Sequence, residues 1–147
     1  MKKTLYGLMG AAMLLVPVMT TAADDERSYT EGTVLDVSAV RTKPGMFDTY
    51  LKWLSTTYKP MMEEQKKAGI ILNYAVYAGS PRTPSDPDLY LVTEYKNMAA
   101  LDDLDAKIDP ISRKYWATMA AADKAAADRE SIRQILGDEL LRELKLK

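Results

Sequence analysis

Residues 33–78 read TVLDVSAVRTKPGMFDTYLKWLSTTYKPMMEEQKKAGIILNYAVYA, and their periodicity decides the fold. Thr33–Thr42 is Val-rich and alternates, which predicts a strand, and Lys43-Pro44-Gly45 ends it with a turn. From Met46 the period changes. Phe47, Tyr50, Leu51, Leu54, Tyr58, Met61 and Met62 recur at three- and four-residue spacing, one stripe of a helix over Met46–Ala68. Pro60 interrupts that stripe. It has no amide to donate and crowds the preceding turn, so a kink or restart is expected near Lys59. Gly69 follows Lys66-Lys67-Ala68 as a C-cap, with the cations at the negative helix end. Ile70–Ala78 then reads as a second strand.

Downstream, Leu89–Tyr95 reads as a third strand. Gly79–Asp88, with prolines at 81, 84 and 87, is the loop joining it to the second in an antiparallel hairpin. Asn97 is an N-cap for a helix from Met98, and Asp109-Pro110 repeats the device. Helical pieces are expected over Met98–Lys107, Pro110–Ala121 and Asp123–Leu136, with Gly137 as the stop. Leu140–Leu146 alternates and reads as the last strand. The order β-α-β-β-α-β is the split βαβ, ferredoxin-like arrangement. It is an α+β fold, a four-stranded antiparallel sheet with helices on one face.

Upstream, residues 1–23 read as a cleaved secretory signal. Lys2 and Lys3 form the positive region, Leu5–Met19 the apolar region, and Thr21-Ala22-Ala23 the small residues before cleavage. Residues 24–31 read as a flexible leader, and 32–147 as one domain. The expected location is the periplasm or outside the cell. An uncleaved signal serving as an anchor is the lesser alternative. With no cysteine the chain has neither disulfides nor a lipid-modified cysteine. It also has no histidine, which removes the commonest general base and metal ligand. With 20 basic and 21 acidic residues, and Lys2 and Lys3 lost with the signal, nucleic acid is an unfavoured partner. Once the signal is cleaved, no remaining apolar run is long enough to span a membrane. Asp102, Asp103 and Asp105 lack a calcium-loop pattern and read as a solvated helix face. No cofactor and no metal are expected.

Grouped by apolar character, Leu35, Val37, Ala39, Tyr74, Val76, Leu89, Leu91, Leu140 and Leu144 are expected under the helices. The opposite face would carry Asp36, Ser38, Asn73, Tyr77, Tyr90, Glu94, Leu141 and Glu143. On this reading Ser38, Asn73, Tyr77, Tyr90 and Glu143 are ligand-cavity candidates. Asp36 and Glu94 are the tentative acid–base pair if the protein is an enzyme, because clustered carboxylates raise one another's pKa. Trp53 points off the helix stripe and is expected at an interface. Arg41, with the parity of the apolar face, is expected to pair with Glu63, Glu64 or a carboxylate of the last strand.

Val40-Arg41-Thr42-Lys43-Pro44-Gly45, Tyr58-Lys59-Pro60, Lys67-Ala68-Gly69-Ile70, Tyr95-Lys96-Asn97-Met98 and Arg133-Gln134-Ile135-Leu136-Gly137 carry a resemblance across the mature chain. The chain resembles the dimeric α/β-barrel group of ferredoxin-like proteins, and within it small exported bacterial members of unassigned function. The resemblance implies a homodimer closing a barrel through the mixed sheet face. Characterised relatives include haem-dependent enzymes, cofactor-free oxygenases and lactone isomerases. The haem branches ligate iron through histidine, which is absent here. The expected function is therefore a non-catalytic exported homodimer that binds a small apolar or aromatic molecule. The alternatives are a cofactor-free oxygenase or isomerase using Tyr, Asn and carboxylate side chains, and a purely structural dimer.

Overall fold

The computed structural model describes residues 27–147, and the expected signal lies outside them. Strand β1 (Tyr29–Thr42) begins inside the segment read as leader. It is followed by α1 (Phe47–Trp53), a π-helical turn (Leu54–Tyr58), α2 (Lys59–Lys67), β2 (Asn73–Ala78) and β3 (Leu89–Tyr95). A 3-10 turn (Met98–Leu101), α3 (Leu104–Tyr115), α4 (Met119–Asp128), a second 3-10 turn (Arg129–Ser131) and β4 (Arg133–Leu146) complete it. The four strands form one antiparallel sheet in the order β2-β3-β1-β4. No described helix is long and apolar enough to cross a membrane.

The expected restart at Lys59 is present, with Pro60 in the first turn of α2. Proline withholds the amide that the Thr56 carbonyl would receive, and the backbone widens to a π turn just before it. Ser55 and Thr56 hydroxyls both donate to the Lys52 carbonyl at 2.9 Å, which ties down the same turn. Gly69 has φ +72°, as the C-cap reading requires.

Two buried clusters hold the helices to the sheet. Val40, Tyr50, Leu54 and Leu89 form one; Val34, Met62, Ile71 and Tyr95 form the other. Tyr58, at the end of the π turn, packs against both. Phe47, at the outer end of the helix stripe, is exposed.

The C-terminal third departs from the sequence reading. Pro110 does not open a helix but lies inside α3. The helix break falls instead at Thr118, whose side chain accepts from the Ala121 amide and caps α4. The helix expected over Asp123–Leu136 ends at Asp128, and β4 starts at Arg133 rather than Leu140. The cause is β1. Its backbone from Val40 to Thr42 takes Ile135, Gln134 and Arg133 as partners, and a β-strand partner overrides local helix preference. Gly137 pairs with Ala39 beside a bulge and is not a helix stop.

Gly69 has open space around it, so an added Cβ meets nothing and only the backbone strain remains. Gly69→Ala is expected to lower stability by about 1 kcal/mol, the cost of a left-handed alanine. Urea unfolding followed by circular dichroism measures it. Leu89→Ala, at 1% exposure, should cost about 3 kcal/mol in the same assay.

Candidate functional site

Register places side chains in rows across the sheet. On the face away from the buried clusters the rows are Asn73–Glu94–Leu35–Leu141, Ala75–Val92–Val37–Glu139 and Tyr77–Tyr90–Ala39–Gly137. The middle of this open face is small and apolar. One corner is a tyrosine pair, and Tyr77 is 58% exposed. Two shallow hollows lie on it. One of about 90 Å³ is bordered by Leu35, Asn73, Ala75, Tyr77, Val92 and Glu94. One of about 240 Å³ is bordered by Val37, Ala39, Tyr90, Leu136, Gly137 and Glu139.

Four sequence-predicted residues, Asn73, Tyr77, Tyr90 and Glu94, thus share this face, and they meet in direct cross-strand pairs: Asn73 with Glu94, Tyr77 with Tyr90. Lys66 Nζ donates to Asn73 Oδ1 at 3.0 Å. Glu143 lies at the far end, folded against Gly32 at a bulge where β1 carries one extra residue. Asp36 and Ser38 are not on the open face. Asp36 pairs with Thr93 and Ser38 with Leu91, on the face that holds the buried clusters, so Asp36 and Glu94 point to opposite sides of the sheet. The assignment of β1 by apolar character fails because Val34 and Val40, both fully buried, share parity with Asp36 and Ser38. Leu35, Val37 and Ala39 are correspondingly on the open face.

Between the two buried clusters the helix-side face has a polar waist. Its row is Tyr74–Thr93–Asp36–Leu140, and Ser38 Oγ donates to Asp138 Oδ1 at 2.5 Å one row further. Burial, and secondarily the Asp138 charge, hold the Asp36 carboxyl above the usual carboxylate range. Burial likewise pushes the Tyr58 hydroxyl up to about 12, against a hydrogen bond with Thr93 that favours the phenolate. Tyr74 is also pushed up to about 12, by desolvation and by Glu63, to which its hydroxyl donates at 2.6 Å. Nothing in the sequence marks Tyr58, Thr93 and Asp138 as residues of one site. The only local signal was Pro60, which marks the π turn that sets Tyr58 across the waist.

Trp53 is half-buried and stacks on Tyr50 with ring centroids 5.7 Å apart. One further expectation changes. Arg41 Nη1 donates to the Asp86 carbonyl at 2.7 Å, anchoring the proline-rich loop rather than meeting Glu63 or Glu64. Glu64 instead receives the Lys114 ammonium and, at 3.0 Å, the Tyr115 hydroxyl, which joins α2 to α3. Among the described residues no three carboxylates converge as a metal site.

No family model matches the chain, and no curated protein matches it. Among solved structures, HapK from Hahella chejuensis is similar at 12% identity and TM-score 0.50, covering 75% of this chain and 91% of that one. Protein SO0527 from Shewanella oneidensis is similar at 13% identity and TM-score 0.47, covering 80% and 96%. At 12% identity, the likeness to HapK bears on the fold alone: a small antiparallel sheet with helices.

The raised Asp36 carboxyl sets a pH dependence. The native state holds this proton more tightly than the unfolded chain, so the group's contribution is fully present below the ordinary aspartate pKa of 3.8 and is lost as pH rises through the raised native value. Asp36→Asn is expected to stabilise the protein at pH 7 relative to the wild type. The gain should shrink toward pH 3 in urea unfolding curves. A gain that is the same at both pH values would mean the carboxyl is not held up by burial.

Proposed function

We propose that the protein is an exported homodimer of ferredoxin-like subunits whose open sheet faces meet as a dimeric α/β barrel and hold a small apolar or aromatic molecule. The carrying observation is the open face itself, a small-residue centre formed by Ala75, Val92, Val37 and Ala39 beside the exposed Tyr77 and its half-buried partner Tyr90. An uncovered apolar sheet face calls for a cover. The strand order β2-β3-β1-β4 supports the ferredoxin-like reading. Size supports the ligand reading. Pockets for small molecules run from about 300 to 1,000 Å³. The larger hollow, about 240 Å³, falls short alone, but two copies face to face enter that range. Tyrosines give such a cavity stacking surfaces with a polar tip. The location rests on the signal-like residues 1–23, and the partners proposed are a second copy and a small molecule.

A second reading, a cofactor-free oxygenase or isomerase, draws on one observation. Burial, and secondarily the Asp138 charge, raise the Asp36 carboxyl in the polar waist, the direction of shift that makes a carboxylate a stronger base. Glu94 takes no part in that version, because it lies on the other face.

Native mass spectrometry of the protein purified from a periplasmic extract tests the first reading. The expected result is a dimer carrying an added small mass. Val92→Arg, which places a charge in the centre of the open face, should give a folded monomer without that mass. A wild-type protein that is monomeric at micromolar concentration overturns the barrel.

A further inference from the structure

At the end of the helix-side face, beside the cluster of Val40, Tyr50, Leu54 and Leu89, four elements bring two arginines and two tryptophans together. Arg129 opens the 3-10 turn after α4, and Arg133 is the first residue of β4. The Arg129 guanidinium lies 4.4 Å from the Trp53 ring centroid, at the end of α1, and 6.0 Å from that of Trp116, just beyond α3. Arg133 is 6% exposed and lies against Tyr50. Its Nη1 binds Glu130, whose side chain remains 54% exposed.

This arrangement leaves two things over. The first is hydrogen-bonding capacity. The Nε groups of both arginines are buried and have no acceptor. Stacking on an indole satisfies the face of a guanidinium but not its in-plane N–H groups, and a buried N–H without a partner is costly. The second is charge. Two guanidinium groups share one half-exposed carboxylate, and the repulsion between them shows in the lowered pKa of Arg129, after desolvation as the first cause. A structural pin would need only one arginine on one indole.

We propose that Arg129 and Arg133 form a binding site for a small oxyanion, the carboxylate or phosphate group of a ligand, taken up in the guanidinium planes at the edge of Trp53 and Trp116. An oxyanion supplies the missing charge and several lone pairs in one group, and planar guanidinium forks match it geometrically. Neither arginine belongs to the open face, so this site stands or falls separately from the proposed barrel.

The chain has two tryptophans, and both touch Arg129, so intrinsic fluorescence reports on this site. The purified full-length protein is titrated with sodium phosphate and, separately, sodium acetate, against sodium chloride at matched ionic strength. Thermal unfolding is followed under the same conditions. The expected result is a saturable emission change and a rise in Tm with one oxyanion, absent in chloride. Saturation by phosphate alone identifies a phosphate group, and by acetate a carboxylate. Arg129→Gln should weaken apparent affinity at least tenfold while circular dichroism stays unchanged, and Arg129→Lys, which keeps charge but not the fork, should fall between. Arg133→Gln serves as a second variant; if it does not fold, the half-buried Arg129 decides. A response equal in chloride, or undiminished in Arg129→Gln, overturns the proposal and leaves the pair as a packing feature.

Discussion

Everything in this fold depends on β1 being hydrogen-bonded along both edges. β3 runs antiparallel on one side and β4 on the other, so its backbone groups from Val34 to Val40 are shared between two ladders. A strand in that position must be extended throughout. Its side chains must alternate strictly between two environments, and any partner segment must become a strand whatever its own preference. Val34 and Val40, with no exposed surface, are the points at which the helices are held to it. Their parity then fixes the rest. Asp36 and Ser38 are carried into the helix side because they lie between two buried valines, and Leu35, Val37 and Ala39 are carried out to the open face.

That constraint also explains what the sequence can and cannot convey. The N-terminal half is legible because its signals are local: a turn at Pro44-Gly45, a helical stripe, a proline that restarts the helix, and a glycine cap. The hairpin of β2 and β3 is legible for the same reason. The C-terminal part is not. Arg133-Gln134-Ile135-Leu136 follows an alanine-rich helix with no breaker, and only the demand of a strand some ninety residues earlier in the chain makes it extended. The open-face candidates Asn73, Tyr77, Tyr90 and Glu94 come from strands whose alternation is unambiguous. The face of Asp36 and Ser38 is not legible, because apolar character differs little between the two faces of β1, and two buried valines decide where a simple count of apolar residues does not.

The two faces divide polar chemistry differently. The open face keeps its polar groups at the edges, Asn73 with Glu94 in one row and Glu139 in the next, around an apolar middle. The helix side does the reverse. It places Asp36, Thr93 and Tyr58 between two apolar clusters, where desolvation holds protons on the titratable groups. One surface is suited to covering and being covered; the other is an interior whose polar groups restrain how the helices sit on the sheet.

The Ser38–Asp138 bond closes a span of 100 residues. Bringing segments that far apart together is the slowest kind of step in the assembly of a small domain, because the entropy of closing the intervening loop is lost before the contact is gained. Until β4 arrives, one edge of β1 is a bare template of unpaired amides and carbonyls beside exposed valine and leucine. The helices and the hairpin can form early from local contacts, but the sheet waits for its most distant strand. The period of waiting, rather than the finished molecule, is when this chain is most open to pairing with the wrong partner and most in need of being kept apart from its own copies.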